Sequence, residues 1–229
     1  IAIIAYPRIS NLDEFQILNN IPGVQLKWVR SAYEIADADW LILPGSKNTS
    51  ADLLWLRSQG FDIAIANHAA QGKVVLGICG GLQMLGEALI DPHSIEGNAA
   101  GLGLLPLVTQ FEKNKTVQHC ETQFATDLSG VWTALSDVQV SGYEIHQGQT
   151  TQHPAMAKAG DVAVCALPNA LGWQNNKGNV LGIYLHGLFE DEAALKALFG
   201  ISTPNLDTVF DGLADFIDDY FETQFLKKL

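Results

Sequence analysis

The sequence of 229 residues is short of cysteines, of cations and of long apolar runs. Its three cysteines, Cys79, Cys120 and Cys165, are an odd number without paired spacing, which favours a reducing, cytoplasmic setting over a disulfide framework. Its 13 Lys and Arg stand against 25 Asp and Glu, and the net charge of −12 argues against nucleic acids and anionic membranes as partners. No run approaches the roughly 20 apolar residues that cross a bilayer.

Motifs for metals and phosphates are also missing. The sequence has no C-x-x-C and no H-E-x-x-H, so a metal site is not expected. It has no G-x-x-x-x-G-K-[ST], and the pair Gly101 and Gly103 leads into Pro106 and a β-prone segment instead of a helix. We therefore expect no cofactor in this chain, and no ATP site of the P-loop type.

The first residues, Ile1 to Ala5, already have the apolar pattern of a buried strand, and no initiating Met precedes them. We interpret the chain as a piece of a longer protein from which a preceding domain is missing. A processed terminus is the alternative.

What the sequence does contain is an alternation of strand and helix patterns. Continuous apolar runs predict strands buried on both faces of a parallel sheet. Strands are expected at 1–6, 24–29, 40–43, 74–78, 160–166 and 180–185, and helices at 49–58, 62–71 and 82–89. Short β-prone stretches between 104 and 145 predict a small antiparallel section, and 205–229 predicts a closing amphipathic helix. The expected fold is α/β: one three-layer domain over 1–229, with a mostly parallel sheet flanked by helices.

The strongest chemical signal is Cys79, which follows the predicted strand 74–78 and precedes Gly80 and Gly81. A nucleophile in a glycine-rich turn between strand and helix is exposed at the carboxyl end of a sheet. The helix that follows favours the thiolate. We therefore predict that Cys79 is a nucleophile; a buried structural cysteine is the alternative.

A thiol nucleophile needs a base, and His186 also follows an apolar run, 180–185. Two residues at strand ends can meet across one edge of a sheet, and imidazole can take the thiol proton and return it to a leaving amine. His146 is the second choice for this base. The amide of Gly80 and the turn around Gly45 are expected to supply an oxyanion hole.

Together these residues resemble the class I, or triad-type, glutamine amidotransferase domains. The string G-I-C-G-G-L-Q at 77–83 matches the G-x-C-x-G-x-Q form of that family. The strings L-P-G-S-K-N-T at 43–49, G-Y-E-I-H at 142–146 and Y-L-H-G-L-F at 184–189 resemble those of one branch, the cobyric acid synthases of cobalamin biosynthesis. The opening string P-R-I-S-N at 7–11 is also typical of that branch.

The resemblance implies that glutamine is hydrolysed through a γ-glutamyl thioester on Cys79, with His186 as base and then acid. Gln83 matches the position that helps to hold glutamine, and Gly45 and Gly80 match the oxyanion turn. Ammonia would pass to an N-terminal synthetase domain that uses ATP and Mg²⁺ to amidate carboxylates of adenosylcobyrinic acid a,c-diamide. That domain would be this chain's partner and would hold the corrinoid.

One position departs from the wider family. Many triad amidotransferases have a glutamate two residues after the histidine, and here that residue is Leu188. Glu190 and Glu144 are the two candidates for orienting His186, and a Cys–His dyad is the third option. Sibling families remain alternatives, namely cobyrinic acid a,c-diamide synthases and peptidoglycan-precursor amidotransferases, as do a thiol hydrolase and a silent regulatory domain.

Overall fold

The computed structural model describes residues 1–201, 213–215 and 217. The closing helix predicted at 205–229 lies outside these described residues, apart from 213–215 and 217, which are helical. Within the described part, no helix is both long enough and apolar enough to span a membrane.

The strands and helices of the described residues are numbered in chain order. The strands are β1 (Ala2–Ile4), β2 (Lys27–Val29), β3 (Trp40–Leu43), β4 (Val74–Ile78), β5 (Ala88–Ile90), β6 (Ala99–Ala100), β7 (Leu107–Gln123), β8 (Gln139–Gln152), β9 (Val164–Leu167), β10 (Gly172–Gln174), β11 (Val180–Ile183) and β12 (Leu185–His186). The α-helices are α1 (Thr49–Ser58), α2 (Phe61–Ala70), α3 (Gly80–Leu85), α4 (Pro154–Lys158) and α5 (Glu192–Phe199). Short 3-10 helices span Leu12–Asn20, Ala32–Ile35 and Gly130–Leu135.

The main sheet has seven strands in the order β2-β1-β3-β4-β11-β10-β9. Its first five strands are mutually parallel, and β10 and β9 continue it antiparallel. The central strands β1, β3, β4 and β11 are almost wholly buried, as expected when helices cover both faces of a parallel sheet. The predicted α/β class, with a mostly parallel sheet flanked by helices, is confirmed.

The second sheet has five strands in the order β12-β8-β7-β5-β6, and most of its pairings are antiparallel. It is larger than predicted, because β7 and β8 form one long hairpin instead of several short strands. The helix predicted at 82–89 ends at Leu85, since the chain then enters β5 and the Glu87 amide bonds to the Leu107 carbonyl oxygen (2.7 Å).

The two sheets meet at the end of β11. The strand predicted at 180–185 divides there: Ile183 is the last residue of β11, and Leu185 and His186 form β12, which pairs with β8. His186 is therefore placed by the second sheet, whereas Cys79 follows β4 of the main sheet. The junction of the two sheets brings the predicted nucleophile and base together.

Candidate active site

Cys79 lies in the turn between β4 and α3 with φ 51° and ψ −106°, a backbone conformation that is strained for a residue with a side chain. Two glycines make the turn possible. A methyl group at Gly81 would overlap the carbonyl oxygen of Leu43, and one at Gly77 would lie 2.6 Å from the backbone of Gly81. The close packing of α3 on β3 and β4 therefore fixes the turn that presents the thiol.

His186 is buried, and its Nδ1 faces a carboxylate. The two oxygens of Glu14 lie 3.2 and 3.4 Å from Nδ1, and Glu14 also accepts the amide of Gly187 at 3.1 Å. Because Nδ1 is held by Glu14, Nε2 is the nitrogen left to exchange a proton with Cys79. Cys79, His186 and Glu14 thus form a continuous hydrogen-bonded series, the arrangement of a candidate triad.

The carboxylate at Nδ1 of His186 is that of Glu14, which was not among the sequence-based candidates for the orienting residue. Of those candidates, Glu144 contacts His146 and Gln118, and Glu190 lies beside Gly187, the residue after His186. Glu14 is 172 residues from His186 and lies on a 3-10 helix that the sequence did not predict. The structure, and not the sequence, reveals the special position of Glu14: its side chain is buried, with 4% exposure, alongside Phe15 and Leu18 of the core, and it contacts His186.

Two opposing effects set the pKa of His186. Burial lowers it, but hydrogen bonds to Cys79 and Glu14, together with the charges of both groups, outweigh burial and raise the pKa from 6.5 to about 10. The Cys79 Sγ lies 3.2 Å from the carbonyl oxygen of Ile145, a bond that only a protonated thiol can donate. The proton therefore has two positions available, on sulfur facing Ile145 and on the ring of His186.

The turn at Gly45 packs against both His186 and Gly80. A methyl group at Gly45 would lie 3.0 Å from Cε1 of His186, and one at Gly80 would lie 2.8 Å from the amide nitrogen of Ser46. The amide of Gly80 opens α3 and has no intrahelical acceptor. The backbone of Gly80, the residue after Cys79, therefore packs against the Gly45–Ser46 turn, and both belong to the surroundings of Cys79 and His186.

Gln83 belongs to a buried hydrogen-bond network beneath this turn. Its Oε1 accepts the hydroxyl of Thr49 at 2.9 Å, and its Nε2 donates to the hydroxyl of Tyr184 at 3.2 Å. Tyr184 also contacts Thr150 at 2.6 Å, and burial is the main reason why the pKa of Tyr184 lies far above its usual value. The network holds the amide of Gln83 at the floor of the site.

His146 has a different environment from His186. Its Nε2 lies 2.7 Å from Glu144, its Nδ1 lies 2.6 Å from the carbonyl oxygen of Gly148, and its ring stacks on Tyr184 at 3.7 Å. Both ring nitrogens therefore already have acceptors, and neither is left to receive the proton of Cys79.

Cys79, Gln83 and His186 share one cavity of about 290 Å³, with His146 also in its wall. This volume is at the lower end of the range for small-molecule sites and suits a small metabolite. A larger cleft of about 850 Å³ is lined in part by Asp13 and Gln16 of the 3-10 helix that carries Glu14, but its lining does not include Cys79. The smaller cavity is the candidate active site because it contains Cys79, the predicted nucleophile.

Sequence comparison adds independent information. The profile of the CobB/CobQ-like glutamine amidotransferase domain family matches residues 1–194. The cobyric acid synthase of Polaromonas sp. (strain JS666 / ATCC BAA-500) is 65% identical over 229 residues, covering 100% of this chain and 45% of that protein. The cobyric acid synthase of Variovorax paradoxus (strain S110) is 64% identical over 229 residues, covering 100% of this chain and 47% of that protein. The chain thus spans less than half the length of these curated relatives.

Solved structures support the fold. PurLQS from Thermotoga maritima aligns with a TM-score of 0.64 at 17% identity, over 93% of this chain and 97% of that one. A crystal structure described as a glutamine amidotransferase aligns with a TM-score of 0.61 at 13% identity, over 88% of this chain and 100% of that one. The family profile covers most of the chain, and the fold agrees with it. The chain therefore belongs to the CobB/CobQ-like glutamine amidotransferase domain family.

Proposed function

We propose that this domain hydrolyses the side-chain amide of glutamine through a thioester on Cys79. The observation that carries the proposal is the arrangement of three side chains. The thiol of Cys79 lies in a strained turn, the buried imidazole of His186 lies beside it, and the carboxylate of Glu14 faces Nδ1 of that imidazole. This arrangement provides a nucleophile, a general base and an orienting group, as acyl transfer requires.

The first half-reaction forms the thioester. The proton of the Cys79–His186 pair is held on Nε2 of His186, in keeping with its raised pKa, and the sulfur attacks the amide carbon of glutamine. The Gly80 amide and the Gly45–Ser46 turn stabilise the negative charge on the carbonyl oxygen. The carbon–nitrogen bond then breaks, His186 returns the proton to the leaving nitrogen, and ammonia departs.

The second half-reaction regenerates the enzyme. Water loses a proton to His186 and attacks the thioester carbon, so that glutamate leaves and the proton returns to the sulfur of Cys79. Glu14 keeps a proton on Nδ1 in both halves, which leaves Nε2 available as the working nitrogen. Gln83 contributes to holding the substrate amide.

We further propose a cytoplasmic, two-domain enzyme of the cobyric acid synthase type, since relatives of that name are 65% identical and about twice as long. The remaining part would be an N-terminal synthetase domain that binds ATP and Mg²⁺. That domain would use the released ammonia to amidate peripheral carboxylates of adenosylcobyrinic acid a,c-diamide. The described cysteines are all free thiols, in keeping with a reducing compartment.

The test is covalent labelling of the full-length protein with a diazoketone analogue of glutamine, followed by mass spectrometry. We expect one adduct, on Cys79, that free glutamine blocks and that Cys79→Ser eliminates. Cys120 and Cys165 serve as internal controls. Burial is the main cause that raises the pKa of each of these thiols, and a raised pKa lowers the fraction of reactive thiolate. Equal labelling of all three cysteines, or labelling that glutamine does not affect, would contradict the proposal.

A further inference from the structure

Asp52 is a buried carboxylate next to the turn at Gly45 and Ser46, and the thioester chemistry above gives it no part. It lies in the first turn of α1, and its side chain has no exposed surface. The start of α1 does not depend on it, because the side chain of Asn48 caps the helix by accepting the amide of Ala51 at 2.9 Å. Burial raises the pKa of the Asp52 carboxyl, so its charged form is held at a cost that calls for another role.

The carboxylate of Asp52 has two partners. Its Oδ2 accepts the hydroxyl of Ser46 at 2.6 Å, and its Oδ1 lies 3.4 Å from Nη1 of Arg8, whose side chain is half-exposed. The hydroxyl oxygen of Ser46 in turn accepts the amide of Asn48 at 3.1 Å. Against the larger effect of burial, the hydrogen bonds from both partners lower the pKa of Asp52. Asp52 therefore joins α1 to the turn and to the segment that contains Arg8.

That segment also holds the turn through its backbone. Two backbone hydrogen bonds, of 2.9 and 2.8 Å, join residues 8–10 to the residues on either side of Ser46, and they form an antiparallel bridge between Ile9 and Ser46. In antiparallel pairing, a residue that lies between two such bonds turns its own amide away from the neighbouring strand. The Ser46 amide therefore faces away from residues 8–10, and a methyl group at Gly80 would lie 2.8 Å from its nitrogen.

The turn is thus held from two directions. The backbone bonds to residues 8–10 join it along one edge and by themselves leave it free to tilt about that edge. The bond from the Ser46 hydroxyl to Asp52 anchors the same residue to α1, which adds a second support. An oxyanion hole needs such support, because its donors must lie about 2.7–3.1 Å from the negative oxygen and a displacement of roughly 1 Å is costly in rate.

We propose that Asp52, assisted by Arg8, is a positioning residue for the oxyanion hole. Through the hydroxyl of Ser46 it holds the Ser46 amide beside that of Gly80, where both donate to the oxygen that becomes negative. Asp52 is not among the described residues that line the cavity of Cys79, so it acts through Ser46 and not on the substrate. This inference rests on the proposed glutaminase function and adds a residue that supports its rate.

The first test is a double-mutant cycle in the full-length protein, with glutamate release as the measurement. Asp52→Asn keeps the shape of the side chain and removes its charge. We expect kcat to fall roughly tenfold, less than the roughly 100-fold loss on removal of an oxyanion donor, and KM to change less than about twofold. Ser46→Ala should cause a similar fall, and the double variant should lose no more than the larger single loss, because both changes remove one contact. Additive losses would overturn the inference.

The second test uses iodoacetamide, which alkylates a thiol by displacing iodide and forms no negative oxygen. Its rate of reaction with Cys79 should therefore be the same in Asp52→Asn as in the wild type, although kcat falls. Alkylation that slows in step with kcat would show that Asp52 supports the Cys79–His186 pair instead of the turn, and would overturn the inference.

A matched pair of arginine variants provides the control. Arg8→Met removes a half-exposed partner of Asp52 and should lower kcat roughly threefold, and it keeps the test available if Asp52→Asn does not fold. Arg57, also on α1, donates to the carbonyl oxygens of residues 100 and 101, each at 2.6 Å. Arg57→Met makes the same change away from the turn and should leave kcat at the wild-type value.

Two further outcomes separate this inference from the function on which it rests. Wild-type kcat in both Asp52→Asn and Arg8→Met would overturn the inference and leave the glutaminase proposal standing. A full-length wild-type protein that releases no glutamate from glutamine would overturn both.

Discussion

Two histidine–glutamate pairs, each with a buried imidazole, lie at the cavity of Cys79, and they differ in how their ring nitrogens are used. His186 uses Nδ1 for Glu14, which leaves Nε2 for its hydrogen bond with Cys79, whereas His146 uses both nitrogens, for Glu144 and Gly148. Burial and a carboxylate partner are common to both, so neither property identifies a base. The difference that matters is one free ring nitrogen within reach of the proton to be moved.

The comparison also separates two ways of placing a histidine. His186 is in a two-residue strand at the junction of the sheets, and its partner comes from the other end of the chain. His146 and Glu144 are two residues apart on β8, so their contact is local. Local pairing supports the hairpin, and the long-range pairing assembles the site.

Removal of His186 should have the largest effect. In the full-length protein we expect His186→Ala to lower kcat for glutamine hydrolysis by roughly 10³-fold, because general acid–base catalysis is lost in both half-reactions. The measurement is glutamate release at saturating glutamine, with circular dichroism to verify the fold. Near-normal turnover would exclude His186 as the base.

The second-largest loss of kcat is expected when the carboxylate that faces His186 is replaced. We expect Glu14→Gln to lower kcat on the order of 10²-fold, since an amide can donate to Nδ1 and so move the ring proton to Nε2. The Gly187 amide would still have an acceptor, so the fold should survive. Glu144→Gln is the matched control and should change kcat little. Equal losses in the two variants would show that Glu14 supports structure alone.

Sequence reasoning succeeded where structure is local. The strands at 40–43 and 74–78 and the helix at 49–58 have the predicted bounds, because glycine, proline and capping residues terminate their apolar patterns. Cys79 lies in the turn between strand and helix that was predicted for it, for the same reason.

What sequence reasoning missed depends on contacts between distant segments. Glu14 contacts His186 although the two residues are 172 positions apart in the sequence, and no local pattern predicts such a contact. The division of 180–185 between two sheets is also non-local, since β12 exists only because β8 lies beside it. The bulge at residues 112–115 arises from the register of β7 against β8, which the sequence of one strand alone does not reveal.

The pH dependence of the free energy of unfolding should test the raised pKa of His186. The pKa of His186 rises from 6.5 to about 10 on folding, so the folded state binds this proton more tightly than the unfolded chain. The resulting stabilisation is complete below pH 6.5 and is lost as the pH rises through about 10. We expect the difference in unfolding free energy between wild type and His186→Gln to shrink over that interval, measured by urea denaturation at each pH. A constant difference would contradict the raised pKa.

Removal of His146 should have the smallest effect on catalysis. His146→Ala deletes a ring that stacks on Tyr184 at 3.7 Å and bonds to Glu144, so it should lower stability by about 1–3 kcal/mol. We expect kcat to fall only a few-fold, since neither nitrogen of His146 is free to accept the thiol proton. Thermal unfolding and glutamate release, measured on the same preparation, separate the two effects. A loss in kcat larger than that of His186→Ala would instead assign the base to His146.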